Sequence, residues 1–188
     1  MYLRYMLTFS FSPFPYLHSE RIYYRQLEDT DYDAVYQLRY DPRVRRFISS
    51  EYEKSDEAVS QFIIDSKTKT NSADLVMWCM EEKTTQQVIG IIGYFRLYPE
   101  HHRAEIGYVL LHDQWGKGFA TEAVKCISQY GFENMHLHSI EARVSPLNIG
   151  SVRSLEKNNY QLEGLLKQSY RVGEEFTDTA VYSLFAHR

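Results

Sequence analysis

The spacing of apolar residues predicts one strand and two helices in the first third of the chain. From Arg21 to Leu27, apolar and polar residues alternate as in a half-buried strand. Two stretches with helical spacing follow, of which the first is capped by the polar run 28–31 and stops before Pro42. The second helix begins at Ser55-Asp56-Glu57. The apolar stripes of these helices are Ala34, Val35 and Leu38, and then Ala58, Val59, Phe62 and Ile63.

The middle of the chain has the two-residue period of strands. Three strand candidates follow one another at 74–82, 87–97 and 104–111. The connections between them are short and polar, which predicts an antiparallel meander. Gly90 and Gly93 lie inside the second candidate and predict a bulge or a close approach of two backbones.

The last third of the chain mixes both periods. A helix predicted over about 119–134 is followed by a strand over 139–144. A strand, a crossover helix and a second strand form a right-handed unit, so we expect one parallel strand pair here. Another helix over 149–157 and two closing strands, around 160–166 and 177–185, complete the pattern.

Composition excludes several classes of protein. The 188 residues suit one domain with a single core, and the net charge of −4 gives no positive field that would attract nucleic acid or an anionic membrane. No apolar run is long enough for a transmembrane helix, and the start of the chain lacks a signal-peptide cleavage site. Cys79 and Cys126 are far apart, which favours a reducing, cytoplasmic location. His136 and His138 lack a third ligand, so no metal is expected.

The stretch 115–121 lies between the third strand of the meander and the following helix. Two glycines at a strand-to-helix turn leave backbone N–H groups uncovered. Together with the positive end of the helix dipole, these groups predict an anion site for a phosphate-bearing ligand. A tight turn with a purely structural role is the alternative interpretation.

Several segments, in this order, resemble the GNAT superfamily of acyl-CoA-dependent N-acyltransferases, and most of all its ribosomal-protein N-terminal acetyltransferase branch. The segments are Glu20-Arg21-Ile22-Tyr23-Tyr24-Arg25, Tyr40-Asp41-Pro42-Arg43-Val44, Glu105-Ile106-Gly107-Tyr108, Trp115-Gly116-Lys117-Gly118-Phe119-Ala120-Thr121-Glu122-Ala123, Pro146-x-Asn148-x-x-Ser151-x-x-x-Leu155-Glu156-Lys157, and Asp178-x-x-x-Tyr182. The resemblance implies an α/β fold: a mostly antiparallel mixed sheet with a splayed parallel strand pair and flanking helices.

The resemblance also divides the chain. It covers about Phe14 to Tyr182, so residues 14–188 are expected to form one domain and residues 1–13 an N-terminal extension. The extension is open to three interpretations: a dimer contact, an arm that covers a sheet edge, or a start that does not belong to the protein. The sequence leaves both a monomer and a homodimer possible.

The cofactor implied by the resemblance is coenzyme A, in the form of acetyl-CoA. Its pyrophosphate would be held by backbone N–H groups of Trp115, Gly116, Lys117, Gly118, Phe119, Ala120 and Thr121. Trp115 stands where the family usually has Arg or Gln, which is typical of this branch. Lys117 either adds charge to the phosphates or is solvated. Asn148 would contact the pantetheine arm, and an N-cap is its alternative role.

The implied reaction is the direct attack of an amine on the acetyl thioester. Glu105 is the candidate base, with an exposed strand carboxylate as its alternative reading and a water as the other base. A backbone N–H of Val109 or Leu110 would stabilise the oxyanion. Ser151 is the candidate proton donor to the thiolate, and its alternative role is that of a first-turn helix serine.

Three functions remain open at this point. The first is acetylation of a primary amine such as a protein N-terminus, and the second is acetylation of a polyamine, an amino acid or an aminoglycoside. The third is a non-catalytic regulator that binds acyl-CoA. The acceptor would be chosen by the loop after the first helix and by the segment from Arg46 to Glu53, whose preference the sequence alone does not specify.

Overall fold

The computed structural model describes residues 6–48, 54–172 and 174–186. Its strands are β1 (Leu17–His18), β2 (Ile22–Arg25), β3 (Val76–Glu82), β4 (Val88–Tyr98), β5 (Arg103–Leu110), β6 (Ser139–Val144), β7 (Gln161–Val172) and β8 (Glu175–Phe185). Its helices are α1 (Tyr32–Tyr40), α2 (Pro42–Arg45), α3 (Asp56–Asn71), α4 (Phe119–Glu133) and α5 (Ile149–Glu156).

All of these strands join one sheet in the order β1-β2-β3-β4-β5-β6-β8-β7. Strands β5 and β6 are parallel, and every other neighbouring pair in this order is antiparallel. Helix α4 makes the crossover between the two parallel strands. The mixed, mostly antiparallel α/β fold with one parallel pair is therefore confirmed.

The sheet has a separate apolar core on each face. Helix α4 packs on one face through Ala123 and Ile127, which share a cluster with Trp78. Helices α1 and α3 pack on the other face, where Val35 joins Met77 of β3. The stripes predicted from apolar spacing for the first two helices lie on the faces of α1 and α3 that pack on the sheet.

The glycines of β4 allow close contact with both neighbouring strands. A Cβ atom at Gly90 would collide with the carbonyl oxygen of Val109 on β5, and one at Gly93 would collide with that of Val76 on β3. The register of β3 with β4 also shifts next to Gly90. The predicted bulge and close approach are thus both present.

Two short elements escape the sequence pattern. Strand β1 has two residues, too few to show an alternation, and it is defined only by its pairing with β2. Helix α2 begins at Pro42, the residue predicted to end the preceding helix. Because proline is well suited to a first helical turn, it both stops α1 and starts α2, with the Asp41 side chain accepting a hydrogen bond from the N–H of Arg43 at 2.8 Å.

The described part of the N-terminal extension packs on the domain. Phe11 is 3% exposed and belongs to the main core, while the N–H of Leu7 donates to the carbonyl of Pro99 at 3.2 Å. The predicted boundary at residue 13 stays a prediction. Across the described ranges, no helix has the length and apolarity needed to cross a bilayer.

Candidate active site

The parallel strands β5 and β6 separate part of the way along their length. Their pairing ends at Ile106 and Ala142, although β5 continues to pair with β4 as far as Leu110 and β6 with β8 as far as Val144. Beyond that last pair, the two strands diverge and open a cleft of about 660 Å³. The splayed pair that the sequence predicted is therefore present, and one edge of β5 is open to the cleft.

The hydrogen bonds of β5 fix which backbone groups face the cleft. The N–H of Leu111 donates to the carbonyl of Ile89 on β4 at 3.0 Å. Since backbone groups alternate sides along a strand, the N–H of Val109 points toward β4 and that of Leu110 toward the open edge. The indole Nε1 of Trp115 donates to the Leu110 carbonyl at 3.0 Å, which leaves the Leu110 N–H as a donor there. Of the two predicted oxyanion donors, Leu110 has the suitable direction.

The loop after β5 has the turn geometry that its glycines suggest. Gly116 and Gly118 have φ angles of 76° and 84°, in the left-handed region that a side chain disfavours. Gly118 is the N-cap of α4, and the first intrahelical bond runs from the N–H of Glu122 to its carbonyl at 3.1 Å. The N–H groups ahead of that bond belong to Phe119, Ala120 and Thr121. All seven residues of the stretch except Lys117 line the cleft.

This loop offers a phosphate group three kinds of stabilisation. The unpaired N–H groups and the dipole of α4 provide partial positive charge. Arg153 of α5 and Lys157, which caps the end of that helix, line the same cleft and add full charges. The Lys117 ammonium instead donates to the Gln114 side chain at 3.0 Å. The residues present therefore fit the pyrophosphate of a coenzyme A molecule.

The start of α5 forms the opposite wall of the cleft. The Asn148 side chain accepts a hydrogen bond from the N–H of Ser151 at 3.1 Å, so its N-cap role is real. The carbonyl of Ser151 accepts the hydroxyl of Tyr108 on β5 at 3.2 Å. Burial raises the pKa of Tyr108 to about 12, so the phenol keeps its proton at neutral pH. The place of Tyr108 in the site depends on this long-range contact with Ser151, which leaves no local sequence signal.

Glu105 lies on β5 before the strands diverge, and it is not among the residues that line the cleft. Its carboxylate is 3.4 Å from the guanidinium of Arg96 and 3.9 Å from that of Arg143. Arg143 also bonds Glu141 at 2.8 Å and does line the cleft. The predicted base, Glu105, therefore lies behind the lining of the cleft, and its partner Arg143 is the residue that lines it.

Formal charge in the cleft is of one sign. Four cations line it, and no carboxylate does within the part of the chain that the structure describes. The four are Arg46, Arg143, Arg153 and Lys157. The same described ranges hold no cluster of three or more histidine, cysteine or acidic side chains suited to a metal.

Comparison with known proteins supports this geometry. A family profile described as acetyltransferase (GNAT) domain matches residues 21–161. The uncharacterized N-acetyltransferase YoaA of Bacillus subtilis is 34% identical over 93% of this chain and 99% of its own length. The spermidine N(1)-acetyltransferase of Escherichia coli is 24% identical over 93% of this chain and 90% of its own. RimL, a ribosomal L7/L12 alpha-N-protein acetyltransferase solved with coenzyme A, superposes with a TM-score of 0.81 at 16% identity, over 89% of this chain and 95% of that one.

Proposed function

This chain is an N-acetyltransferase of the GNAT family, and we propose that it transfers the acetyl group of acetyl-CoA directly to a primary amine, with a protein N-terminus as the leading acceptor. The observation that carries the proposal is the open edge of β5, which ends at the glycine loop of α4. A phosphate site and an unpaired strand edge within one cleft suit a long donor that has a pyrophosphate at one end and a reactive carbonyl at the other.

The residues divide into donor-binding and reacting groups. The N–H groups of the stretch 115–121, with Arg153 and Lys157, would hold the pyrophosphate. The polar side chain of Asn148, beside the open edge of β5, would guide the pantetheine arm. Acetyl-CoA supplies a thioester whose acyl carbon accepts the amine.

Transfer forms one C–N bond and breaks one C–S bond. The Leu110 N–H would donate to the carbonyl oxygen as negative charge develops there. The Ser151 hydroxyl would pass a proton to the thiolate sulfur, whose conjugate thiol has a pKa of about 8.5, and would regain one from water. The amine proton leaves through water to solvent, since the Glu105 carboxylate is engaged by Arg96 and Arg143.

The acceptor class is supported by relatives of two kinds. RimL is described as acting on a ribosomal protein N-terminus, and the Escherichia coli relative is described as acting on spermidine. A protein N-terminus fits better because an α-amine, with a pKa of about 8, needs only a weak base, whereas an alkylamine with a pKa of about 10.4 needs a stronger one. We also propose that the enzyme works in the cytoplasm, where its two cysteines remain reduced.

Thiol release from acetyl-CoA tests this function directly. The panel contains peptides with free Ala, Ser or Met N-termini, spermidine and an aminoglycoside, and product mass confirms transfer. We expect turnover with peptides. Acetyl-CoA binding by calorimetry without turnover on any amine would instead indicate a regulator that senses acyl-CoA.

A further inference from the structure

Arg143 occupies a special place in the cleft. It is the first residue of β6 beyond the last parallel pair, which joins Ile106 to Ala142. It therefore lies where the two strands begin to diverge, and it lines the cleft. Glu105 and Glu141 are register partners on the neighbouring strands, and both interact with its guanidinium.

The two carboxylates approach one edge of this guanidinium. Glu141 accepts from Nε of Arg143 at 2.8 Å, and the closest approach of Glu105, at 3.9 Å, is to the same nitrogen. The hydrogen bond from Arg143 to Glu141 raises the pKa of Arg143, which keeps the group charged. The pair of Nη groups at the other end has the fork geometry that binds a carboxylate through two parallel hydrogen bonds.

The surroundings of Arg143 favour an anion over a second cation. Arg46 follows α2 and lines the same cleft, so its guanidinium adds a second positive charge to that of Arg143 in the lining. No carboxylate of the described chain lines the cleft, and the two that pair with Arg143, Glu105 and Glu141, lie outside its lining. A polyamine, which carries a charge at each amine, would meet like charge in the described lining of the cleft and no carboxylate there.

We propose that Arg143 selects acceptors that carry a carboxylate close to the reacting amine. This inference rests on the acetyltransferase function proposed above. The Nη groups bind the carboxylate and so hold the amine beside the point where β5 and β6 diverge. The same cation disfavours the charged ammonium form of the acceptor, which leaves more of the amine free to react. The carboxylate comes either from a free amino acid or from an acidic first residue of a peptide.

Matched acceptor pairs test the proposal. One pair is L-alanine and L-alaninamide. The other is Asp-Ala-Ala-NH₂ and Asn-Ala-Ala-NH₂, two peptides with a free N-terminus and an amidated C-terminus. The value of kcat/KM is measured for each acceptor at constant acetyl-CoA. In at least one pair we expect the carboxylate member to be favoured about 10- to 100-fold, the size of a charge-assisted bidentate contact. The pair that shows the preference identifies the source of the carboxylate.

Variants assign the preference to the guanidinium. Arg143→Gln should bring the ratio close to one, and Arg143→Lys should retain part of it because the charge remains while the fork is lost. Arg153→Gln removes a cation from the α5 side of the cleft and should leave the ratio unchanged. A wild-type ratio near one in both pairs, a preference for spermidine, or an unchanged ratio in Arg143→Gln would overturn the proposal.

A binding measurement separates this proposal from the proposed function. Calorimetry of the enzyme saturated with coenzyme A measures affinity for L-alanine, L-alaninamide and the two peptides without any turnover. Carboxylate-dependent binding that is lost in Arg143→Gln supports the anion site even if no amine is acetylated. Equal affinities within both pairs reject it even if acetylation occurs.

Discussion

The Glu122 carboxylate accepts hydrogen bonds from both the backbone N–H and the guanidinium Nε of Arg21, each at 2.7 Å. The same guanidinium donates to the Lys117 carbonyl at 3.0 Å and lies over the Phe119 ring at 4.4 Å from its centroid. Burial alone would raise the pKa of Glu122, but these bonds and one from Ser19 outweigh it and lower the pKa. Arg21 thus supports the glycine loop from outside the cleft.

Removal of this support should weaken donor binding more than catalysis. Arg21→Ala leaves the Lys117 carbonyl and the Glu122 carboxylate without a shared partner, so the N–H groups between them lose their fixed direction. We expect KM for acetyl-CoA to rise about tenfold, or about 1.4 kcal/mol, with kcat changed less than threefold. Lys67→Ala removes a half-buried cation paired with Asp29 outside the cleft and serves as the control. A fall in kcat at constant KM would contradict the assignment.

Gly118 is a loop residue whose substitution tests backbone conformation with little steric effect. A Cβ atom at this position would lie 3.5 Å from an Arg21 nitrogen, an ordinary contact, but its φ of 84° is unfavourable for alanine. Gly118→Ala should lower the free energy of unfolding by about 1–2 kcal/mol and weaken acetyl-CoA binding. Urea unfolding and calorimetry measure the two effects.

Gly164→Ala provides the matched control for that substitution. Gly164 lies on β7, its backbone has no left-handed φ, and a Cβ atom there would meet nothing within 4 Å. Its stability and affinity should stay close to wild type. If both variants lose the same stability and affinity, the left-handed turn is not what makes Gly118 necessary.

Because Glu105 is held in ion pairs, we expect its substitution to change kcat/KM only slightly. Because its carboxylate faces Arg96 and Arg143 and does not line the cleft, Glu105→Gln should lower kcat/KM less than about tenfold. A general base typically contributes about 10²–10⁴-fold. The pH profile of kcat/KM decides whether Glu105 is only an ion-pair partner of the arginines or the general base. Loss of about a hundredfold or more, with a changed acidic limb, would restore Glu105 as the base.

Two hydroxyl groups at the start of α5 are candidates for protonating the thiolate. The Tyr108 hydroxyl donates its hydrogen bond to the Ser151 carbonyl, at 3.2 Å, so its proton is already engaged there. Ser151→Ala should therefore lower kcat about 10- to 100-fold, and Tyr108→Phe less than fivefold. Steady-state kinetics at saturating acetyl-CoA compares them. A larger loss in Tyr108→Phe would assign the proton to the phenol.

The secondary structure and the turns of this fold can be predicted from local sequence patterns. Much of the candidate site depends instead on contacts between residues that are far apart in the sequence. The glycine loop is a continuous stretch, so its turn could be predicted from sequence, and so could the Asn148 cap. Arg143 could not be recognised, because its position depends on where the parallel register of β5 and β6 ends. Likewise, the ion pair that joins Arg21 to Glu122 spans 101 positions and leaves no periodic signal.

The prediction for Glu105 illustrates the same limit. Its place on the strand that leads to the loop was correctly predicted from the sequence. Its engagement by Arg96 and Arg143 follows from side chains on two neighbouring strands. A single sequence does not tell which strands will be neighbours, so the difference between a free carboxylate and a paired one appears only in the folded sheet.

A buried pair away from the cleft gives the fold a specific pH dependence. The Asp31 side chain is 4% exposed and accepts two hydrogen bonds from the Arg25 guanidinium, both at 2.8 Å. Burial alone would raise the pKa of Asp31, but Arg25 and the N–H of Glu28 outweigh it, so the pKa lies below its ordinary 3.8. The pair therefore contributes full stability above pH 3.8, and that contribution is lost as pH falls through the lowered pKa.

Arg25→Met should reveal this contribution. The variant leaves the Asp31 carboxylate buried without its partner, so the free energy of unfolding at pH 7 should fall by about 3–5 kcal/mol. The difference from wild type should shrink at pH 3 and below, as protonation of Asp31 removes the unpaired charge. Urea unfolding at pH 7, 5 and 3 measures it, with Lys69→Met, which breaks an exposed pair with Asp65, as the control. A loss that is the same at pH 3 as at pH 7 would mean that packing of the Arg25 stem, rather than its charge, stabilises the fold.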